Sequence, residues 1–408
     1  MAYVDQQNKF GLVLQGGGAL GAYEVGAIWY LYDIGMECTI VTGASSGAVN
    51  AVTLAGAPAH SYPPDVLKRL WEEAFSVDSP IPFVPSLVNR YWSLFGVPGM
   101  YRPRLDYWNL PTWTHFCDTT RTRKTLEERL DWVRVHDPTH MRVVVSASGV
   151  ETGETRYFSN LDPKEPLRIE HVMASGSFPP GFPWTMVDHQ PFWDGGLTDN
   201  TPLKPVIDNL RQGEPETVPI FMIDVFSSAS PLPTDMQQVL LRMFEMMIQN
   251  KLKADSETAQ SYTSFIRVLK EIEKAIPEDH PIREEEDFKK VMNYALVNEI
   301  RMIDVMKPAG ESAADFSRET ILRRINAGYE AVRRELEARP LKRQYIIQQD
   351  DTLLIIAQKV YGDGNLWTKI RDANPGIHPD ELQIGKKINI PFPVKSLPLY
   401  NGVLVNVK

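Results

Sequence analysis

A short β-branched run, Thr39-Ile40-Val41-Thr42, leads directly into Gly43-Ala44-Ser45-Ser46-Gly47 and then into the alanine-rich Ala48-Val49-Asn50-Ala51. The first run reads as a buried strand and the last as a helix, and the pentapeptide between them fits G-x-S-x-G. A strand that turns this sharply into a helix brings two backbones close together, so the residues around the serine must be small. A nucleophile elbow of this kind exposes the Ser45 hydroxyl at a helix N-terminus, where amides and dipole favour developing negative charge. Five common residues also make plain strand-to-helix turns. Alone, the stretch leaves catalysis and simple architecture evenly balanced.

The chain around it has 408 residues, enough for two or three units, and its 43% hydrophobic and 23% charged residues are those of a globular protein with a sizeable core. A net charge of −9 argues against nucleic acid as a partner and against broad attraction to anionic lipid. Two cysteines, Cys38 and Cys117, make neither a disulfide framework nor a four-ligand zinc site, so free thiols are expected. The start of the chain lacks the basic and apolar regions of a signal peptide, and no run of about 18 apolar residues offers a transmembrane helix. The expected location is the cytoplasm, with non-Sec export left open.

Upstream of the elbow, the apolar strand Phe10-Gly11-Leu12-Val13-Leu14 runs into Gln15-Gly16-Gly17-Gly18-Ala19-Leu20-Gly21, followed by a helical stretch to about Ile34. Gly16, Gly18 and Gly21 match G-x-G-x-x-G, which raises a dinucleotide site. That site wants an acidic residue at the end of the second strand, but the second strand ends in Thr42 and the serine, with Glu37 ahead of it. No cofactor is expected. A glycine loop opening a helix also suits an oxyanion hole, because backbone N–H groups can converge there on one oxygen. A parallel β-α-β unit sets the ends of the two strands side by side, so that Gly16, Gly17 and Gly18 neighbour Ser45.

Further on, a helix is predicted over Asp65 to Phe75. From Ser79 to Phe116 proline and aromatics crowd together: Phe83, Tyr91, Trp92, Phe95, Tyr101, Tyr107, Trp108, Trp113 and Phe116. This run is an irregular insertion, whose aromatics either fill a small core of their own or form a lid at a lipid–water interface. A solvated helix is expected over Thr119 to Arg134, with Leu126, Leu130 and Val133 inward. A strand over Met141 to Gly149 turns through Glu151-Thr152-Gly153 into Thr155-Arg156-Tyr157-Phe158. A helix around Ile169 to Ala174 precedes Phe192-Trp193-Asp194-Gly195-Gly196, and Ile220 to Phe226 suits the interior of a sheet. Thr234 to about Ala275 reads as a long amphipathic helix carrying Met236, Leu240, Met243, Met247 and Ile248. Ile300 to Val305 reads as an edge strand, and Ser317 to about Arg339 as a helix burying Ile321, Leu322, Ile325, Tyr329 and Val332.

A serine nucleophile needs a base. None of the eight histidines stands in a glycine-rich context after a strand. Asp194 does, between an aromatic pair and two glycines, and a carboxylate held against Ser45 can take its proton directly. Asp-Gly-Gly is more often only a turn. Taken together and in this order, Gly16-Gly17-Gly18-Ala19-Leu20-Gly21, Gly43-Ala44-Ser45-Ser46-Gly47 and Asp194-Gly195-Gly196 resemble the signature of patatin-like phospholipases. Ala174-Ser175-Gly176-Ser177-Phe178-Pro179-Pro180 resembles the segment before the aspartate in that family.

This resemblance implies an α/β fold, a three-layer α/β/α patatin-like sandwich, with Ser45 as nucleophile, Asp194 as base and the glycine loop as oxyanion hole. It implies lipid acyl-ester hydrolysis, phospholipase A or lysophospholipase-like, without a catalytic metal. Leu20 stands where the family often has Arg or Lys, which keeps open esterase action on a neutral lipid, a lysolipid or a soluble hydroxy-acid oligoester. A lipid or acyl-ester partner with peripheral membrane contact follows from the same likeness.

Tyr345-Ile346-Ile347-Gln348-Gln349-Asp350-Asp351-Thr352-Leu353 opens a strand-helix-helix-strand pattern that resembles a LysM domain. It matches at Asp351-Thr352-Leu353, Tyr361-Gly362, Trp367, Ala373-Asn374, Leu382, Gly385 and Ile390-Pro391. The resemblance implies N-acetylglucosamine glycan binding through Asp351, Thr352, Asn374 and Ile377, and Asp350 stands where a glycine is usual. A retained packing or dimerisation module is the alternative, and an idle glycan-binding scaffold is the rival to an enzyme. The expected organisation is a catalytic domain over 8–230 with the lid-like insertion at 79–116, a mainly helical extension over 231–340, a βααβ LysM module over 343–393, and a tail over 394–408.

Overall fold

A computed structural model describes residues 9–78, 92–211, 218–226, 271–292, 299–305, 312–361, 363–379 and 382–392, with residue 214 and a few isolated positions between 232 and 269. Strand β1 (Lys9–Leu14) pairs in parallel with β2 (Glu37–Gly43), so that Leu14 stands opposite Gly43. Helix α1 (Gly21–Asp33) connects them and helix α2 (Ser46–Ala55) leaves β2. This is the expected β-α-β unit, with β2 starting two residues earlier than its β-branched run.

A separate two-stranded ribbon pairs β3 (Arg102–Pro103) with β4 (Cys117–Asp118), while around the β1–β2 pair the main sheet continues in both directions. Strand β5 (Arg142–Gly149) joins β2 in parallel, while β6 (Thr155–Ser159) and β8 (Gln190–Asp194) each run antiparallel to β5, and β7 (Thr185–Val187) closes that edge. On the other side β9 (Ile220–Asp224) lies parallel to β1, and β10 (Ile300–Asp304) forms the far edge beside it. Residues near 300 thus complete a sheet begun at residue 9. Parallel strands lie buried on both faces, which is why these runs read as nearly continuous apolar sequence.

Side chains alternate between the two faces. Phe10, Leu12, Leu14, Val41, Phe221 and Ile223 enter the larger core, with α1, α2 and the long helix described below. Val13, Ile40, Ile220 and Met222 point the other way, onto Leu203 and Val206 of the short helix Leu203–Asp208. Helices therefore cover both faces of a mostly parallel sheet, the three-layer α/β/α arrangement expected. Burying each such large apolar side chain contributes about 1.5–3 kcal/mol.

The long helix, α3 (Arg318–Ala338), begins and ends within a residue of the predicted bounds. Ile321, Ile325 and Val332 are buried as expected, but so are Arg324 and Gly328. Gly328 lies against the Tyr23 carbonyl and Gly26 against the Ile325 carbonyl, closer than any Cβ would permit. These two glycines let α3 cross α1 backbone to backbone.

Two local expectations are corrected. The predicted helix over Thr119 to Arg134 is two helices, Thr120–Arg129 and Trp132–Val135. Asp131 breaks the run because its carboxylate caps the second, accepting the Val133 and Arg134 amides at 3.0 and 3.3 Å. The break rotates Val133 outward, to 80% exposure, while Leu126 and Leu130 stay buried. The predicted helix over Asp65 to Phe75 is α-helical over Pro63–Arg69 and π-helical over Leu70–Ala74. Most of the methionine-bearing stretch near 234–275, and the insertion's residues 79–91, lie outside the described residues.

In the C-terminal module, β11 (Leu341–Ile346) pairs antiparallel with β12 (Lys387–Phe392) around helices Leu353–Tyr361 and Trp367–Asp372. Asp350 adopts the left-handed backbone, φ 65°, that a glycine would take there. No helix among the described residues is long and apolar enough to cross a membrane.

Candidate active site

The elbow is built by close approach. A Cβ on Gly47 would stand 2.6 Å from the Leu14 carbonyl and 2.7 Å from that of Gln15, and one on Gly43 would run into the Gly47 backbone. With both ends of the turn locked against β1, Ser45 is driven to φ 53°, ψ −122°, a conformation that costs a non-glycine residue about 1–3 kcal/mol. Its amide is held by Ser175, at the end of the helix Ile169–Ser175, donating to Ser175 Oγ at 3.0 Å and to the Ser175 carbonyl at 3.1 Å.

Asp194 ends β8, opposite Ala147 of β5. Its amide donates to the Ser177 carbonyl and its carbonyl accepts the Ser148 hydroxyl, so the backbone is fixed on two sides. Oδ1 accepts the Gly196 amide at 2.7 Å, while Oδ2 is buried and makes no hydrogen bond of ordinary geometry. Burial raises the carboxyl to about 7; the nearby Ser45 hydroxyl and the Gly196 amide favour its charged form and limit the rise. The serine and the aspartate, 149 positions apart in the chain, thus face one another across strand ends.

The glycine loop lies beside them. A Cβ on Gly16 would be 2.7 Å from Ser45 Cβ. Gly16 is clamped by Asn200, whose Oδ1 accepts the Gly16 amide at 3.1 Å and whose Nδ2 donates to the Gly16 carbonyl at 3.0 Å. The Gly17 amide donates to Ser46 Oγ at 3.1 Å. Gly18, at φ 55°, has an amide with no partner among the described residues. Of the three proposed donors, two are therefore occupied and one is available.

Beneath the loop runs a buried polar network. Glu24 accepts the Gln15 amide at 2.6 Å and Asn50 Nδ2 at 2.8 Å, and Trp71 Nε1 donates to Asn50 Oδ1 at 2.8 Å. Complete burial pushes the Glu24 carboxyl well above its ordinary value. Asn200, Ser175, Ser46 and Glu24 were not singled out by sequence reasoning. Asn200 follows Asp194 by six residues and Ser175 lies in the quoted Ala174 segment, which were the only signals.

No histidine bonds Ser45 or Asp194 among the described residues. His171 is stacked on Phe158 with ring centroids 4.2 Å apart, and burial lowers it to about 4. Cys38 and Cys117 are free thiols, with Cys38 buried. No group of three His, Cys, Asp or Glu among the described residues is placed to hold a metal.

In the C-terminal module, Asp351 accepts the Gln348 amide at 2.7 Å and pairs with Lys359 at 2.7 Å, and Thr352 Oγ1 accepts the Ile355 amide at 3.1 Å. Asn374 donates to the Ile370 and Asn389 carbonyls and accepts the Asn389 amide at 2.7 Å, tying the second helix to β12. Ile377 packs partly buried on the core. All four side chains serve the module's own fold.

A mostly parallel sheet covered on both faces thus carries a serine elbow, a glycine loop and a buried aspartate at its strand ends. The patatin-like phospholipase family matches residues 12–207, and the LysM domain family matches residues 345–391. The chain carries a patatin-like phospholipase domain followed by a C-terminal LysM domain. Patatin-like phospholipases are acyl-ester hydrolases, and the family implies lipid acyl hydrolase activity for this chain. Among solved structures the chain is similar to VipD from Legionella pneumophila, at 17% identity and a TM-score of 0.39, over 86% of this chain and 70% of that one. It is also similar to a chain in the structure of the ExoU–SpcU heterodimer from the type III secretion system of Pseudomonas aeruginosa, at 15% identity and a TM-score of 0.33, over 81% of this chain and 52% of that one. A search of curated protein sequences returned no match.

Proposed function

We propose that the chain hydrolyses lipid acyl esters with Ser45 as nucleophile and Asp194 as its direct base. The observation that carries this reading is the buried Asp194 Oδ2, without an ordinary hydrogen bond, facing a serine held in a strained elbow. Asp194 takes the Ser45 proton as Oγ bonds to the ester carbonyl carbon, and the carbonyl electron pair moves onto oxygen. The tetrahedral species collapses, breaking the bond to the alcohol, which leaves with the proton from Asp194. Water then attacks the acyl-serine, again losing a proton to Asp194, and the acid departs as Ser45 recovers its proton. The Gly18 amide is the proposed oxyanion donor, and Gly16 and Gly17 shape the loop around it.

An exposed aromatic segment favours a lipid substrate. Phe116 and Cys117 donate their amides to the carbonyls of Pro180 and Gly181, in the loop that joins Ser175 to β7. They anchor a segment that exposes Tyr107, Trp108, Leu110 and Phe116, with Trp108 at 80%. Trp and Tyr favour the boundary between lipid and water, so this segment is the proposed membrane-contacting lip. Leu20 is buried and gives the glycine loop no cation for a phosphate, which favours neutral lipids, lysolipids or soluble oligoesters over diacyl phospholipids. LysM domains typically bind peptidoglycan or chitin glycans, and an N-acetylglucosamine oligomer is the ligand class proposed for residues 345–391.

The test is hydrolysis of a p-nitrophenyl acyl ester. Ser45→Ala and Asp194→Asn are expected to abolish it with the fold intact, and activity retained in the Ser45 variant would refute the assignment.

A further inference from the structure

The glycine loop is completed by residues that lie beyond the patatin-like span of 12–207. The Ala19 amide, next after Gly18, donates to the Ala313 carbonyl at 2.8 Å. The same carbonyl oxygen would stand 2.6 Å from a Cβ on Gly18, so the turn at 312–316 and the left-handed Gly18 are fitted to each other. That turn is held from below by one side chain of α3. Arg324, 0% exposed, donates from Nη2 to the Ser312 carbonyl at 2.9 Å and from Nη1 to the Asp315 carbonyl at 3.0 Å. Asp315 in turn caps α3, accepting the Ser317 amide at 3.0 Å and the Thr320 hydroxyl at 3.0 Å. The two-glycine crossing of α3 over α1 sets the guanidinium 6.0 Å from the Tyr23 ring, beside the helix that the glycine loop opens.

We propose that Arg324 is a positioning residue for the oxyanion loop, acting through the Ala313 carbonyl to fix the peptides of Gly18 and Ala19. The proposal rests on the reading of Gly18 as the oxyanion donor. A guanidinium removed from water is stable only when its N–H groups find acceptors, and two carbonyls on either side of Ala313 meet that need with charge-assisted bonds. A rigid fork gripping two carbonyls defines the turn between them more closely than a single ammonium could. An oxyanion donor acts by being oriented in advance, and a displacement of about 1 Å can lower a rate roughly 100-fold. Sequence reasoning passed over Arg324 because an arginine on a charged, amphipathic helix reads as solvated. Its burial follows only from the glycine crossing.

The full chain carrying Arg324→Met or Arg324→Lys tests this, with a soluble p-nitrophenyl ester and hydrogen exchange of the peptide over 15–22. Arg324→Met is expected to lower kcat about 100-fold with KM nearly unchanged, since the lost orientation matters only in the transition state. Arg324→Lys is expected to lie between it and the parent. In Arg324→Lys, exchange over 15–22 is expected to rise at least about 10-fold while β1 over 9–14 keeps the parent's protection. If Arg324→Met misfolds, the Lys variant and its exchange pattern carry the test. Parental kcat in the Met variant would overturn the proposal, as would a loss of kcat that follows the folded fraction with both peptides exchanging equally. Ser45→Ala is run alongside. If it stays active the nucleophile assignment fails, whereas the exchange pattern still reports on the Arg324 clamp.

Discussion

Ser45 and Asp350 are both non-glycine residues at positive φ, 53° and 65°, and their surroundings are opposite. Ser45 is pressed into place by Gly43 and Gly47, whose backbones touch each other and the end of β1. Asp350 sits on an exposed turn of the LysM module, where Gly376 and Gly385 also take positive φ with nothing within 4 Å of the Cβ each lacks. At the elbow the surrounding structure imposes the strain, and the strain aims a hydroxyl. In the module the turn needs only a backbone shape, and aspartate tolerates it. Similar values of φ therefore carry unequal meaning, and the neighbours distinguish them.

The largest effect expected is on chemistry. Ser45→Gly and Asp350→Gly each relieve a positive φ, yet Ser45→Gly should lower ester hydrolysis by roughly 10⁴-fold or more, while Asp350→Gly leaves the rate unchanged. Steady-state assays of the two variants side by side decide this. Activity surviving in Ser45→Gly would break the comparison.

Next is the pH response of Asp194. A carboxyl raised to about 7 keeps its proton in the native state where the unfolded chain, near the ordinary aspartate value of 3.8, has lost it. Stability is therefore lost as pH rises between those values, and the loss is complete above about 7. Asp194→Asn should be more stable than the parent by roughly 2–4 kcal/mol at pH 8, and equal to it near pH 3. The parent's kcat/KM should rise to a plateau with an apparent pKa near 7, where an ordinary carboxylate would plateau by about pH 5. Denaturant titrations at several pH values and a pH–rate profile measure the two.

Smaller differences separate the glycines. Gly47→Ala forces a methyl onto the carbonyls of Leu14 and Gln15 and should destabilise by about 3 kcal/mol or more. Gly376→Ala meets no atom and should lose only about 1 kcal/mol, from its φ of 92°. Smallest is Asp350→Gly, expected to stabilise the module by up to about 1 kcal/mol in a thermal melt. Equal losses in the two alanine variants would show that close packing is not what sets the elbow apart.

Much of this was legible in the sequence where a local rule decides the outcome. The apolar runs of β1, β2, β5 and β9 require two covered faces, and small residues around Ser45 require a tight turn. The Val133 reversal was not legible, because Asp131 could be read as one more solvated charge in a helix until it was seen capping the next one. Nor were Asn200, Ser175 and Arg324, which reach the glycine loop or the elbow through hydrogen bonds across the fold. The engagement of Gly16 and Gly17 by side chains is likewise a tertiary fact, invisible in a motif of three glycines.

Activation of Ser45 as a nucleophile is read out by labelling the full chain with a fluorophosphonate and mapping the modified peptide, whatever the natural substrate. Covalent modification of the peptide bearing Ser45 is expected, with labelling strongly slowed in Asp194→Asn. A chain that stays unlabelled at Ser45 while folded, or that is labelled at another serine with the same rate in Asp194→Asn, would contradict it.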